Sequence, residues 1–226
     1  IASLASRLPY VTVPGNHEFV FDFAAYRYRY PMDMSPGPLG QSLYWSLDRG
    51  RVHFIGLNSE SPMDTPLITQ EQLTWLTTDL KAAAARKRNG QLDWIVITLH
   101  RALYCSSSMS ATFCTDSALY MRVTLEPLFQ TYLVDLVIQA HCHNYERTTP
   151  VFNNVVMSGG KAPVYLVNGI GGSRERDSGN FDRAGPNWRV TGYSHQPHNA
   201  TQDLYGYGML TVTSNQMRFQ IISNVE

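Results

Sequence analysis

The sequence predicts a mixed α/β domain: a largely parallel sheet covered by helices, passing into an antiparallel tail. Three observations carry this. In the middle of the chain, strand-like apolar runs alternate with helical patterns in the order strand, helix, strand, helix, strand, the order of a sheet with crossover helices. After residue 160 the helical patterns stop, and strand-like runs and turn residues follow. The 226 residues are 43% apolar and 16% charged, long enough to bury a core and too apolar for a disordered tail. No repeat or linker divides them, so 1–226 reads as one domain.

Strands are predicted at Tyr10–Val13, Ser42–Leu47, Val52–Leu57, Trp94–Thr98, Leu136–Gln139, Val164–Asn168, Gly208–Thr213 and Met217–Ile222. One clear helix lies between the third and fourth. Thr69 and Gln72 stand at capping-box spacing, Leu73, Leu76, Leu80 and Ala83 share a face, and Asn89-Gly90 ends it. A second helical pattern covers about Glu126 to Tyr132, directly before a strand. Ile1, Leu4, Ala5 and Leu8 keep helical spacing ahead of Tyr10–Val13. A strand so near the first residue, in a chain that begins at Ile1 with no signal peptide visible, suggests that N-terminal strands of the domain are missing from it.

Lys plus Arg and Asp plus Glu are 18 each, for a formal net charge of +0. A neutral chain without a basic run argues against a nucleic-acid surface built on phosphate contacts. Arg86-Lys87-Arg88 closes the predicted helix, where cations suit the helix dipole. No stretch reaches the roughly 18 apolar residues of a membrane span. Cys105 and Cys114 bracket a polar loop suited to a small disulfide, with two free thiols as the alternative, while Cys142 stands elsewhere. Asn199-Ala200-Thr201 is a glycosylation sequon in a polar stretch. Together these features lean towards a secreted, lysosomal or vacuolar setting.

In such sheets ligands bind beyond the carboxyl ends of strands, and three motifs sit there. Pro14-Gly15-Asn16-His17-Glu18 follows the first predicted strand, His100 follows Trp94–Leu99, and His141-Cys142-His143 follows Leu136–Gln139 and runs on into Asn144-Tyr145-Glu146-Arg147. In extended backbone His141 and His143 face one side and can enter one pocket. Taken singly, each has a plainer reading: a turn before a capped helix, a satisfied polar residue, a chance His-x-His. His53, in a strand with apolar neighbours, reads as a core residue. His195 and His198 read as exposed loop residues, Trp188 and Tyr193 as rim candidates, and Arg174–Asp177 as a solvated loop.

Together, Asn16-His17-Glu18, His100 and Ala140-His141-x-His143-x-Tyr145-Glu146-Arg147 resemble the calcineurin-like metallophosphoesterases, and more narrowly the purple acid phosphatases. Val52-His53-Phe54-Ile55 leading to Asn58-Ser59-Glu60, the run His100–Ser106 and Tyr205-Gly206-Tyr207-Gly208 support the likeness. The resemblance implies a four-layer β-sandwich with flanking helices, and a binuclear centre of iron plus zinc, manganese or a second iron. It implies hydrolysis of phosphate monoesters by attack of a metal-bound hydroxide. It assigns Asn16, His100 and His141 to the second metal and His143 to the ferric ion, while His17 contacts the phosphate and assists departure of the alcohol.

The family's upstream Asp, bridging Asp and Tyr ligands do not occur before Asn16. The chain is therefore expected to supply most of one metal site and one ligand of the other. The missing segment is expected from another polypeptide of the same protein. The Ser106–Phe113 loop also lacks the histidines that many plant members use for substrate. Two other readings stay open: a phosphodiesterase or nucleotide pyrophosphatase on the same fold, and a non-catalytic remnant lacking a complete metal centre.

Overall fold

Alternation of apolar side chains along short strands decides the architecture. The computed structural model describes residues 5–32, 35, 42–61, 67–107, 115–172, 185–194 and 205–223, apart from the side chains of 115, 116, 193, 194 and 223. The strands are β1 (Trp45–Arg49), β2 (Val52–Gly56), β3 (Trp94–Thr98), β4 (Leu136–Gln139), β5 (Asn144–Thr148), β6 (Val151–Phe152), β7 (Val155–Val156), β8 (Val164–Asn168), β9 (Arg189–Ser194), β10 (Gly206–Val212) and β11 (Met217–Ser223). The helices are α1 (Ala24–Arg29), α2 (Gln70–Arg88) and α3 (Thr115–Thr131).

Seven strands form one sheet in the order β1-β2-β3-β4-β8-β5-β9. β2, β3, β4 and β8 run parallel, with β1 antiparallel at one edge and β5 and β9 antiparallel at the other. One face carries Ile55, Ile95, Ile97, Val137 and Tyr165, packed under Leu76, Leu80 and Ala83 of α2 and Met121, Leu125 and Phe129 of α3. The other face carries Val52, Val96, Leu136 and Leu166, packed against Leu210, Val212, Met217 and Phe219 of the β10–β11 hairpin. Helices, central sheet and hairpin thus make three layers among the described residues, and the predicted mixed α/β class is the one observed.

Helix α2 begins as its capping signal predicts: the Thr69 side chain accepts from Gln72 N at 3.2 Å. Gln72 does not complete a reciprocal box. Its buried amide instead clasps the backbone after β2, taking Asn58 N–H at 2.8 Å and donating to Asn58 O at 2.8 Å.

Several elements differ from the sequence reading. Tyr10–Val13 is an irregular segment, since among the described residues no strand pairs with it. It is tied by Trp45 Nε1 donating to Thr12 O at 2.7 Å and by the Thr12 and Tyr26 hydroxyls at 2.7 Å. α3 is 17 residues long rather than one or two turns. Its buried stripe of Ala118, Met121, Leu125 and Phe129 was masked by Leu119 and Val123, apolar yet 63% and 70% exposed, and by the internal Pro127. β5 and β9 were not predicted, because they are polar strands in the antiparallel part of the sheet. Trp188 is no rim residue: it is buried edge-on to Tyr104, with ring centroids 5.2 Å apart. Cys114, His195, His198, Asn199 and the Arg174–Asp177 run lie outside the described residues.

His53 is buried, as expected of a core residue, but it is also an ionic rivet. Its Nδ1 meets Asp48 of β1 at 2.7 Å and its Nε2 meets Asp79 of α2 at 2.8 Å. Arg86 also binds Asp48, at 2.6 Å, and Ser46 donates to Asp79 at 3.0 Å. Burial would push the imidazole pKa down, but the hydrogen bonds and charges of Asp79 and Asp48 outweigh it, and the net shift is upward. A raised histidine stabilises fully below its unfolded value of about 6.5, and the contribution fades as pH rises through the folded value. His53→Gln is therefore expected to lower stability by about 2 kcal/mol at pH 5–6 and by less at pH 8, read from urea unfolding. An equal loss at both pH values would show that the rivet is not ionic.

Candidate metal centre

The parallel pairing of β3 with β4 continues beyond both strands. Leu99 N donates to Ile138 O at 3.1 Å and Ala140 N to His100 O at 3.0 Å. His100 and His141 therefore leave the sheet side by side. Asn16 arrives on a separate turn that closes on itself: Glu18 N donates to Gly15 O at 3.0 Å, and Gly15 N to Glu18 Oε2 at 2.8 Å. Gly15 lies on the His100 ring, where an added Cβ would sit 3.1 Å from Cε1 and Nδ1.

These elements bring three donor atoms together. His100 Nε2 is 2.9 Å from Asn16 Oδ1 and 3.1 Å from His141 Nδ1. Donors about 2.1 Å from one ion and at right angles to each other stand about 3.0 Å apart. Burial, followed by the charges of His141, Arg101, His17 and His143, lowers the His100 pKa to about 3. Its ring is thus neutral across the ordinary pH range, the form a metal takes. Among the described residues no three His, Cys, Asp or Glu side chains gather as a metal site; the third donor here is an amide.

His141 and His143 are not in extended backbone, as their spacing suggested. β4 stops at Gln139, and two tight turns follow, with Cys142 N donating to Ala140 O at 2.8 Å and Asn144 N to Cys142 O at 2.7 Å. His141 has φ 65°, a strained value for a residue other than glycine. His143 lies outside the trio, and its Nδ1 is buried without a hydrogen-bond partner among the described residues. A buried imidazole nitrogen in that state fits a missing ligand. His17 is exposed. Gly169, just after β8, makes the double turn possible: its N–H donates to Asn144 O at 2.9 Å, and a Cβ there would lie 1.9 Å from Cys142 O and 3.1 Å from His143 Cα.

The sequence reading assigned no roles to the residues that brace this cluster. Ser59 Oγ accepts from His100 N at 3.1 Å and Arg101 N at 2.8 Å. Glu60, buried, takes Arg101 Nε at 2.9 and 3.0 Å and Nη2 at 2.9 Å. Burial raises the Glu60 pKa, and the Arg101 hydrogen bonds and charge oppose that rise. Arg101 Nη1 faces His141 Nε2 at 3.3 Å. Both Ser59 and Glu60 follow β2, so the strand-end criterion that selected His100 would have found them. Glu146, buried on β5, holds the loop beyond His100 through Ser106 N at 2.8 Å and Ser106 Oγ at 2.5 Å. Its neighbour Tyr145 points the other way and stacks on Phe219.

The disulfide expectation needs correction. Cys105 is a free thiol 3.4 Å from Ser107 Oγ, its pKa raised to about 11 chiefly by burial. Cys142, between the two histidines, is the cysteine engaged in a disulfide. Cys105 instead turns inward to pack with Ala102, Cys142 and Val167.

Residues 1–145 match the family profile of the calcineurin-like phosphoesterases, and residues 162–226 match that of iron/zinc purple acid phosphatase-like protein C. Acid phosphatase type 7 of Danio rerio is 35% identical over 201 residues, covering 79% of this chain and 44% of the relative. The chain belongs to the calcineurin-like phosphoesterases. Phosphoenolpyruvate phosphatase of Allium cepa is 32% identical, over 83% of this chain and 41% of its own. The purple acid phosphatase PPD1 of Lupinus luteus shares the fold, with a TM-score of 0.73 at 21% identity, over 96% of this chain and 38% of its own. The chain thus spans less than half the length of these relatives. The expectation of a second polypeptide finds no support in them, since each match is one longer chain.

The likeness to the purple acid phosphatases implies a binuclear metal centre, and the residues present fit one: a converging amide oxygen and two imidazole nitrogens, with a buried unsatisfied imidazole nitrogen nearby. Gly169→Ala is expected to displace the His141–His143 turn and weaken metal uptake by roughly 10–100-fold. Gly171→Ala, where nothing lies within 4 Å of the added Cβ, should leave uptake unchanged. Metal titration of both variants checks this, and equal affinities would contradict it.

Proposed function

We propose that the whole protein hydrolyses phosphate monoesters at acidic pH, with Asn16, His100 and His141 holding one metal and His143 contributing to a second. The observation that carries this reading is the convergence of Asn16 Oδ1 and His141 Nδ1 on His100 Nε2, at 2.9 and 3.1 Å. Cations bound there would draw charge from the phosphoryl oxygens and lower the pKa of water, with iron plus zinc, manganese or a second iron as the proposed pair.

The chain's own residues do the rest. Neutral amide and imidazole donors leave a bound cation its full charge, so it remains a strong electrophile towards an anionic ester. Exposed His17, on the same turn as Asn16, would meet the phosphate and give a proton to the departing alcohol oxygen. Glu18 keeps His17 and Asn16 on one rigid turn through the Gly15 N–H. Ser59 fixes the backbone of His100 and Arg101, so that His100 does not have to be ordered when substrate arrives. The Cys142 disulfide supports an oxidising compartment, secreted, lysosomal or vacuolar, with Asn199 as the proposed glycan site.

The full-length metal-loaded protein is expected to turn over p-nitrophenyl phosphate best at acidic pH and to prefer it to bis(p-nitrophenyl) phosphate. His141→Ala with His143→Ala should abolish turnover and lower metal content. His17→Ala should lower kcat by roughly 10²–10⁴-fold with metal retained. Wild-type turnover in the double histidine variant would sink the reading, and preference for the diester would replace the monoester with a diester substrate.

A further inference from the structure

We propose that Arg101, held by Glu60, contacts the phosphoryl group of the substrate, and that Glu60 is the positioning residue that aims it. The inference rests on the phosphatase reading above and adds to it a substrate contact on this chain.

The guanidinium is ordered before any ligand arrives. Its Nε and Nη2 edge is taken by both oxygens of Glu60, whose side chain is 2% exposed. Glu60 is itself fixed, because its N–H donates to Asn58 Oδ1 at 2.9 Å and the Asn58 backbone is clasped by Gln72. The backbone N–H of Arg101 is taken by Ser59 Oγ at 2.8 Å. A planar fork locked on one edge presents the other edge in a fixed direction.

That other edge points into the cluster. Among the described residues, Nη1 meets the His141 ring, 3.3 Å from Nε2. When His141 gives Nδ1 to a cation, the neutral ring keeps its proton on Nε2. Two N–H groups then face one another, and neither can accept from the other. The protons of Nη1 are left aimed at the mouth, where a phosphoryl oxygen is an acceptor of the right charge and geometry. The Arg101 side chain is 22% exposed while its carboxylate partner is 2% exposed, so solvent reaches the cation and not the group that holds it. Glu60 offsets the formal charge of Arg101, so the contact acts by direction and short range rather than by long-range attraction.

The test uses the full-length, metal-loaded protein. Calorimetric titration with inorganic phosphate and kinetics on p-nitrophenyl phosphate are compared for wild type, Arg101→Met, Arg101→Lys and Glu60→Gln. Arg101→Met should weaken phosphate binding and raise KM roughly 10–100-fold, with kcat changed far less and metal content unchanged. Arg101→Lys should recover part of the affinity, since a lysine cannot hold Glu60 and reach phosphate with the same fork. Glu60→Gln should fall between wild type and Arg101→Met. Phosphate affinity of Arg101→Met within about twofold of wild type would overturn the contact. Loss of metal in Arg101→Met would also overturn it, making Arg101 a support for His141. If wild type takes up metal yet neither binds phosphate nor hydrolyses the ester, the phosphatase reading falls and this contact with it. If wild type does both and Arg101→Met matches it, Arg101 alone is reassigned.

Discussion

The register between β3 and β4 fixes where the chemistry can happen. Val96 pairs with Leu136 and Thr98 with Ile138, and the ladder runs on through Leu99 and His100 to Ala140. Two histidines 41 positions apart are thereby set next to each other at one end of the sheet. A slip of one residue would send His100 to the helix-covered face and bury an apolar neighbour at the mouth. The apolar faces prevent that slip. Ile95 and Ile97 are fully buried under the helices, while Val96 is buried under the hairpin.

Side chains that clasp backbone carry this order outward from the sheet. Gln72 holds Asn58, and Glu146 holds Ser106. Gln139 accepts from Leu103 N at 2.8 Å and donates to Tyr104 O at 2.6 Å. Each clasp satisfies buried backbone groups in a strand-to-loop connection that no ladder reaches, which is why the loops around the site can be irregular and still defined. The same logic explains the Tyr145-Glu146-Arg147 run. On β5 the alternation sends Glu146 towards the loop after His100 and Tyr145 towards the hairpin, so one short strand braces the site and the opposite layer together.

Electrostatically the cluster is built from neutral donors with charges set behind them. His100 is kept unprotonated by burial, Asn16 has no proton to lose, and the Glu60–Arg101 pair lies one layer back with its carboxylate sealed. Among Asn16, His100, His141 and His143, the positive φ falls on His141. The close packing of Gly169 on the Cys142 backbone tolerates the turn there, and the Cys142 disulfide anchors it.

The sequence by itself determined the mixed α/β class, the helix α2 and the strand-end motifs. β3, β4 and β8 have the predicted limits because each is a short apolar run bounded by turn or polar residues, and α2 begins at Thr69 because its hydroxyl caps Gln72. The meeting of His100 and His141 was legible because each follows an apolar strand, whereas Asn16 follows an apolar run that does not pair as a strand among the described residues. The rest depended on contacts between distant positions. Nothing local marks β5 or β9 as strands, since polar residues extend there only by pairing with β8 and with each other. Leu119 and Val123 obscured α3 because burial, not composition, picks the packed stripe. Loop polarity suggested Cys105 for the disulfide, but the fold turns its thiol inward and engages Cys142. The Glu60–Arg101 fork joins residues 41 apart, and only the tertiary structure could aim it at His141.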